Sequence, residues 1–123
     1  MNTILIVEDN DKNMKLVRDV LQAKGYATIE AGTAEDGIRL ANERKPDLVL
    51  MDIQLPGMNG IEALGVLRAD AATAEIPVIA VTASVMQQDR NLITEAGFDG
   101  YVGKPINLKE FLDTVRDALD RIA

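Results

Sequence analysis

Residues 48–60 read Leu48-Val49-Leu50-Met51-Asp52-Ile53-Gln54-Leu55-Pro56-Gly57-Met58-Asn59-Gly60: four apolar residues, a carboxylate, then a segment rich in turn-forming residues. A run that is apolar throughout, instead of alternating, marks a strand covered by helices on both faces, as in parallel sheets. Asp52 closes that run, and Pro56, Gly57, Asn59 and Gly60 supply the turn chemistry of a loop leading to a helix.

Working outward, Ile4–Val7 and Val78–Val81 are apolar runs of the same kind, while Ala27–Ile29 and Tyr101–Val102 read as more peripheral strands. The segments between them have helical periodicity. Met14, Val17 and Leu21 form one stripe, and Ile61, Leu64 and Leu67 or Arg68 a less regular one. Leu108, Phe111, Leu112, Val115 and Leu119 form a third, on a helix spanning 108–121. Asn107 with Glu110, Thr33 with Asp36 and Ser84 with Gln87 have the pattern of helix starts. Gly25 and Gly97 stand where helices should end. Five strands alternating with five helices, joined by right-handed crossovers, predict an α/β fold. Its core is a doubly wound, five-stranded parallel sheet of order 2-1-3-4-5. Ligands of such sheets bind at the carboxyl ends of strands 1 and 3, where Glu8, Asp9 and Asp52 fall.

The 123 residues suit a single domain, and the expectation is one domain, 1–123, with its last helix ending near Ala123 and no output domain. No cysteine is present, which excludes disulfides and thiolate metal sites, and no histidine, which excludes Ser-His-Asp and Cys-His nucleophiles. With 13 basic and 20 acidic residues the net charge is −7, which argues against nucleic-acid binding. The apolar runs are too short to span a membrane, and a cytoplasmic location is expected.

Chemistry is therefore left to carboxylates, hydroxyls and lysines. Three carboxylates at one crevice repel one another, and an oxygen-only site suits Mg²⁺ best, with Mn²⁺ a substitute. A carboxylate beside Mg²⁺ is also what phosphoryl transfer needs. Taken alone, however, Glu8-Asp9-Asn10 reads first as the cap of helix 1, and Asp52 as an exit from the sheet. Thr82 and Lys104, at the ends of strands 4 and 5, would point toward the same crevice. Lys104 precedes Pro105, and X-Pro bonds are trans unless something specific favours cis.

Together, Val7-Glu8-Asp9-Asn10, the run Asp52 to Gly60, Thr82-Ala83 and Lys104-Pro105 closely resemble the receiver domains of two-component signalling, over essentially the whole chain. The resemblance implies that Asp52 is the phosphoacceptor, Asp9 a direct Mg²⁺ ligand, Glu8 a ligand through water and the Gln54 main-chain carbonyl a further ligand. It also implies that Lys104 pairs with phosphoryl oxygens, that Thr82 hydrogen-bonds the phosphoryl group and that the bond to Pro105 is cis. Tyr101 matches the family's switch aromatic, although alone it reads as an edge-strand tyrosine with an exposed hydroxyl. The implied donor is a sensor histidine kinase or histidine phosphotransfer protein. The response would pass to protein targets through helix 4, strand 5 and helix 5, from a monomer or weak dimer. Within the family, Asn10, Asn13-Met14-Lys15 and Met51 to Pro56 are most similar to stand-alone cell-cycle regulators of the DivK type or to receivers of hybrid kinases. Gly57 and Gly103 depart from the bulkier residues common there.

Two other classes fit part of this pattern. A phosphatase with an aspartyl-phosphate intermediate would need a second acid beside Asp52, where Ile53 and Gln54 stand, and a cap domain. A flavin binder on the same sheet would favour a hydroxyl-rich phosphate loop after strand 1 in place of Glu8-Asp9.

Overall fold

The structure, a computed structural model, describes residues 2–82, 87–104 and 106–120. The Ser84 helix start and the Lys104-Pro105 peptide bond fall outside the described residues, as does the last predicted residue of the 108–121 helix.

The elements alternate without interruption: β1 (Thr3–Val7), α1 (Asp11–Ala23), β2 (Ala27–Ala31), α2 (Ala34–Arg44), β3 (Leu48–Asp52), α3 (Gly60–Ala69), β4 (Val78–Thr82), α4 (Gln87–Ala96), β5 (Gly100–Gly103) and α5 (Leu108–Asp120). All four strand pairings are parallel, in the order β2-β1-β3-β4-β5. β1, β3 and β4 hold the middle, and every residue of β3 and β4 is buried. That burial is why their runs carry no polar alternation.

Side-chain alternation along the strands divides the interior into two cores. Leu5, Val7, Val49, Met51, Val78 and Ala80 pack under α2, α3 and α4, whereas Ile4, Ile6, Leu48, Leu50, Ile79 and Val81 pack under α1 and α5. Burying one such Leu or Ile is worth about 1.5–3 kcal/mol, so the sheet holds its layers through two full faces of these residues.

The helix signals locate their ends well. Asn107 Oδ1 accepts from Glu110 N at 3.1 Å and Thr33 Oγ1 from Asp36 N at 3.1 Å. Gly25 and Gly97, just past α1 and α4, have φ of 89° and 103°, the left-handed conformation that closes a helix. Two stripe members behave differently. Ile61 is 37% exposed because it stands one residue off the face of α3 that Gly60, Ala63, Leu64 and Leu67 bury, and Leu108 is 47% exposed at the first position of α5. α2 ends on Lys45 in the left-handed region (φ 46°), a position with no glycine to announce it.

Candidate functional site

Register brings the acids together. β1 and β3 are paired from Ile4↔Leu48 to Val7↔Met51, so the chain leaves both strands at the same edge, into Glu8-Asp9 and Asp52. The three residues' carboxylate oxygens lie within 4.8 Å of one another. Glu8 and Asp52 are buried, Asp9 is exposed, and the cluster is thus open to solvent on one side.

Glu8 and Asp52 are each held by the backbone N–H two residues on. Asn10 N donates to Glu8 Oε2 at 3.2 Å, while Asn10 Oδ1 accepts from Lys12 N and Asn13 N and so caps α1. Asn10 is thus the residue that caps α1, while Glu8 and Asp9 are placed in the carboxylate cluster. Gln54 N donates to Asp52 Oδ1 at 2.9 Å, which orients Asp52 and leaves Oδ2 turned elsewhere. Ile53 N is bonded to Val81 O at 3.0 Å, and Gly60 N to Ile53 O at 3.2 Å. A Cβ on Gly60 would stand 2.6 Å from Asp52 O and 2.9 Å from Ile53 Cα; only glycine lets α3 begin against the backbone that carries Asp52. Gly57, in the same loop, has φ 75°, a conformation that a bulkier residue would strain.

Lys104 enters from the other side. Its N–H is bonded to Thr82 O at 2.8 Å, and its Nζ lies 2.9 Å from Asp52 Oδ2 and 3.0 Å from Glu8 Oε1. Burial disfavours the ammonium, but the hydrogen bonds and charges of Asp52 and Glu8 outweigh it and raise its pKa above the ordinary 10.5. Burial raises the Glu8 carboxyl above its ordinary 4.5. The neighbouring Asp52 raises it further, against the opposing hydrogen bonds of Lys104 and Asn10 N. One ammonium thus faces three carboxylates, an excess of anionic oxygen suited to a divalent cation. Thr82 is buried at the end of β4, level with Gly103. Tyr101, paired with Ala80 on edge strand β5, is 40% exposed. Arg68, which the sequence offers only as an alternative to Leu67 in the α3 stripe, is a structural residue, with Leu67 the buried one: its guanidinium donates to Ala74 O at 3.0 Å and Ile76 O at 2.7 Å and pairs with Asp99 at 2.9 Å, at the opposite end of the sheet.

Residues 4–116 match the family model described as the response regulator receiver domain. The chain belongs to the response-regulator receiver family. This receiver is 44% identical over 117 residues to the polar-differentiation response regulator DivK of Brucella anthropi, covering 95% of each chain. Its fold is similar to that of the receiver domain of a Pseudomonas aeruginosa sensor histidine kinase, at a TM-score of 0.89 and 30% identity, covering 97% of this chain and 98% of that one. In that structure a magnesium ion is coordinated in the active-site cleft. A receiver from Methanospirillum hungatei is similar at 0.89 and 29% identity, covering 98% and 95%. Receivers are phosphoacceptors that work with histidine kinases or phosphotransfer proteins, and this one has the acidic pocket in which the family binds Mg²⁺.

Proposed function

We propose that this receiver is a phosphorylation-dependent switch in which Asp52 takes a phosphoryl group from the phosphohistidine of a sensor histidine kinase or phosphotransfer protein. The observation that carries the reading is the Glu8-Asp9-Asp52 cluster, with Lys104 seated on two of its three acids. Asp52 Oδ2 forms the new P–O bond as the P–N bond of the donor breaks; the electron pair of that bond goes to the imidazole nitrogen, which takes up a proton. Asp52 Oδ1 is held by the fixed backbone N–H of Gln54 and Oδ2 by the Lys104 side chain, which can move to a phosphoryl oxygen, and this difference favours Oδ2 as the acceptor. Asp9, Asp52, the Gln54 carbonyl and, through water, Glu8 would hold Mg²⁺, which when bound neutralises charge on the transferring oxygens.

Lys104 then exchanges its carboxylate partner for a phosphoryl oxygen, and the Thr82 hydroxyl bonds another. Because Lys104 N is tied to Thr82 O, the ends of β4 and β5 respond together, and Tyr101 follows. The resulting rearrangement of the α4-β5-α5 face changes which protein is bound. Water slowly hydrolyses the acyl phosphate and resets the switch, with no further substrate turned over. The similarity to DivK supports a cell-cycle or developmental role in the cytoplasm, as a stand-alone domain that is monomeric or weakly dimeric.

Intact-mass spectrometry after incubation with acetyl phosphate and Mg²⁺ tests this reading. A single phosphate adduct that is lost in EDTA and in Asp52→Asn is expected. An adduct of equal yield on Asp52→Asn would overturn it.

A further inference from the structure

A groove of about 420 Å³ lies between the α1–β2 corner and α5, lined by Lys24, Tyr26, Lys109, Leu112, Asp113 and Arg116. None of these residues belongs to the acidic site. Three cations line the groove, against Asp113 in the lining and Asp117 beside Arg116, a local excess of positive charge in a chain whose net charge is −7. Arg116 is partly neutralised, at 3.3 Å from Asp113 and 3.8 Å from Asp117. Among the described residues, Lys24 and Lys109 make no ion pair, and the Tyr26 hydroxyl has no hydrogen-bond partner. The groove's apolar floor is firm, because Tyr26 and Leu112 pack against the α1/α5 core. Screening limits the field of the remaining acids to about 8 Å, so the local excess of positive charge governs what enters.

We propose that this groove binds a short extended segment of a partner protein, with acidic side chains on Lys24 and Lys109 and an apolar side chain on Tyr26 and Leu112. The groove is open to solvent along one side. A small anion would leave much of its surface in water there, whereas a segment tethered to its own protein need not be enclosed. The interaction does not require phosphorylated Asp52.

The test is a titration of the isotopically labelled, unphosphorylated chain, followed by amide NMR, with the capped peptide Glu-Leu-Asp-Phe-Glu. Controls are its neutral counterpart Gln-Leu-Asn-Phe-Gln and phenyl phosphate. Saturable shifts at Tyr26, Leu112 and Arg116 are expected for the acidic peptide. They should weaken at least about tenfold for the neutral peptide and for the double variant Lys24→Glu with Lys109→Glu. Lys24→Gln with Lys109→Gln serves if the reversed charges disturb folding. The absence of saturable shifts, equal shifts in the double variant, or saturation there by phenyl phosphate but not by the peptide would overturn the proposal.

Discussion

Lys104 Nζ lies 2.9 Å from Asp52 Oδ2, joining residues 52 positions apart at the mouth of the sheet. The same ammonium is 3.0 Å from Glu8, so it is the counter-charge that lets two buried carboxylates stand side by side. It also competes with any divalent cation for them. Lys104→Met should therefore bind Mg²⁺ more tightly, by about 1 kcal/mol or several-fold at the effective dielectric of a partly exposed site, while accepting phosphate more slowly. Calorimetric titration with Mg²⁺ and the rate of adduct formation with acetyl phosphate measure the two effects.

Repulsion inside the cluster costs folding free energy when no divalent cation is bound. Asp52→Asn removes one of three charges, and without metal it should unfold at an equal or higher denaturant concentration than the wild type. Its gain in stability on adding Mg²⁺ should shrink. Urea unfolding in EDTA and in Mg²⁺ measures both.

Glu8 binds its proton more tightly folded than unfolded, because burial and Asp52 raise its pKa above 4.5. The folded chain then holds more protons than the unfolded one just above pH 4.5, and stability from this group falls as pH rises through that window. In EDTA, Glu8→Gln should lack that decline. Thermal unfolding across pH 4.5–7 compares the two slopes.

Gly60→Ala puts a methyl group 2.6 Å from a backbone oxygen that cannot swing away. A loss of about 1–3 kcal/mol is expected, together with slower phosphorylation, since the displaced backbone carries Asp52. Gly65→Ala on the same helix, where a Cβ meets nothing within 4 Å, should cost nothing.

At the far end of the sheet, Arg68→Ala should lower stability by about 2–3 kcal/mol while phosphate acceptance at Asp52 persists. It leaves the Ala74 and Ile76 carbonyls without the guanidinium donor and removes one partner of Asp99, whose Oδ2 also accepts from Val78 N at 2.8 Å. Arg68→Lys should recover only part of the loss, because a point charge cannot reach both carbonyls and the carboxylate. Lys45→Gly, by contrast, relieves a φ of 46° and should gain about 0.5–1 kcal/mol.

These sites differ in how openly the sequence declares them. The strands were legible because a two-sided sheet requires unbroken apolar runs, and Asp52 because it ends one of them. Glu8, Asp9, Thr82 and Lys104 could be placed once parallel topology put every strand's carboxyl end at one edge. Arg68 and Asp99 were not legible: they lie 31 residues apart, and each alone looks like a surface charge. Ile61 and Leu108 fit the helical period, but their exposure depends on where a helix meets the sheet, which periodicity does not encode. The left-handed Lys45 is hidden as well, since sterics favour glycine there and a lysine does not announce such a cap.

The most direct measurement is to reduce the acetyl-phosphate-treated protein with borohydride, which converts an aspartyl phosphate to homoserine, and to map the peptides. Homoserine at position 52, formed only when Mg²⁺ was present, is the predicted result. Reduction at Asp9 or Glu8 instead, or a phosphate that resists borohydride and maps to a hydroxyl such as that of Thr82, would contradict Asp52 as the phosphoacceptor.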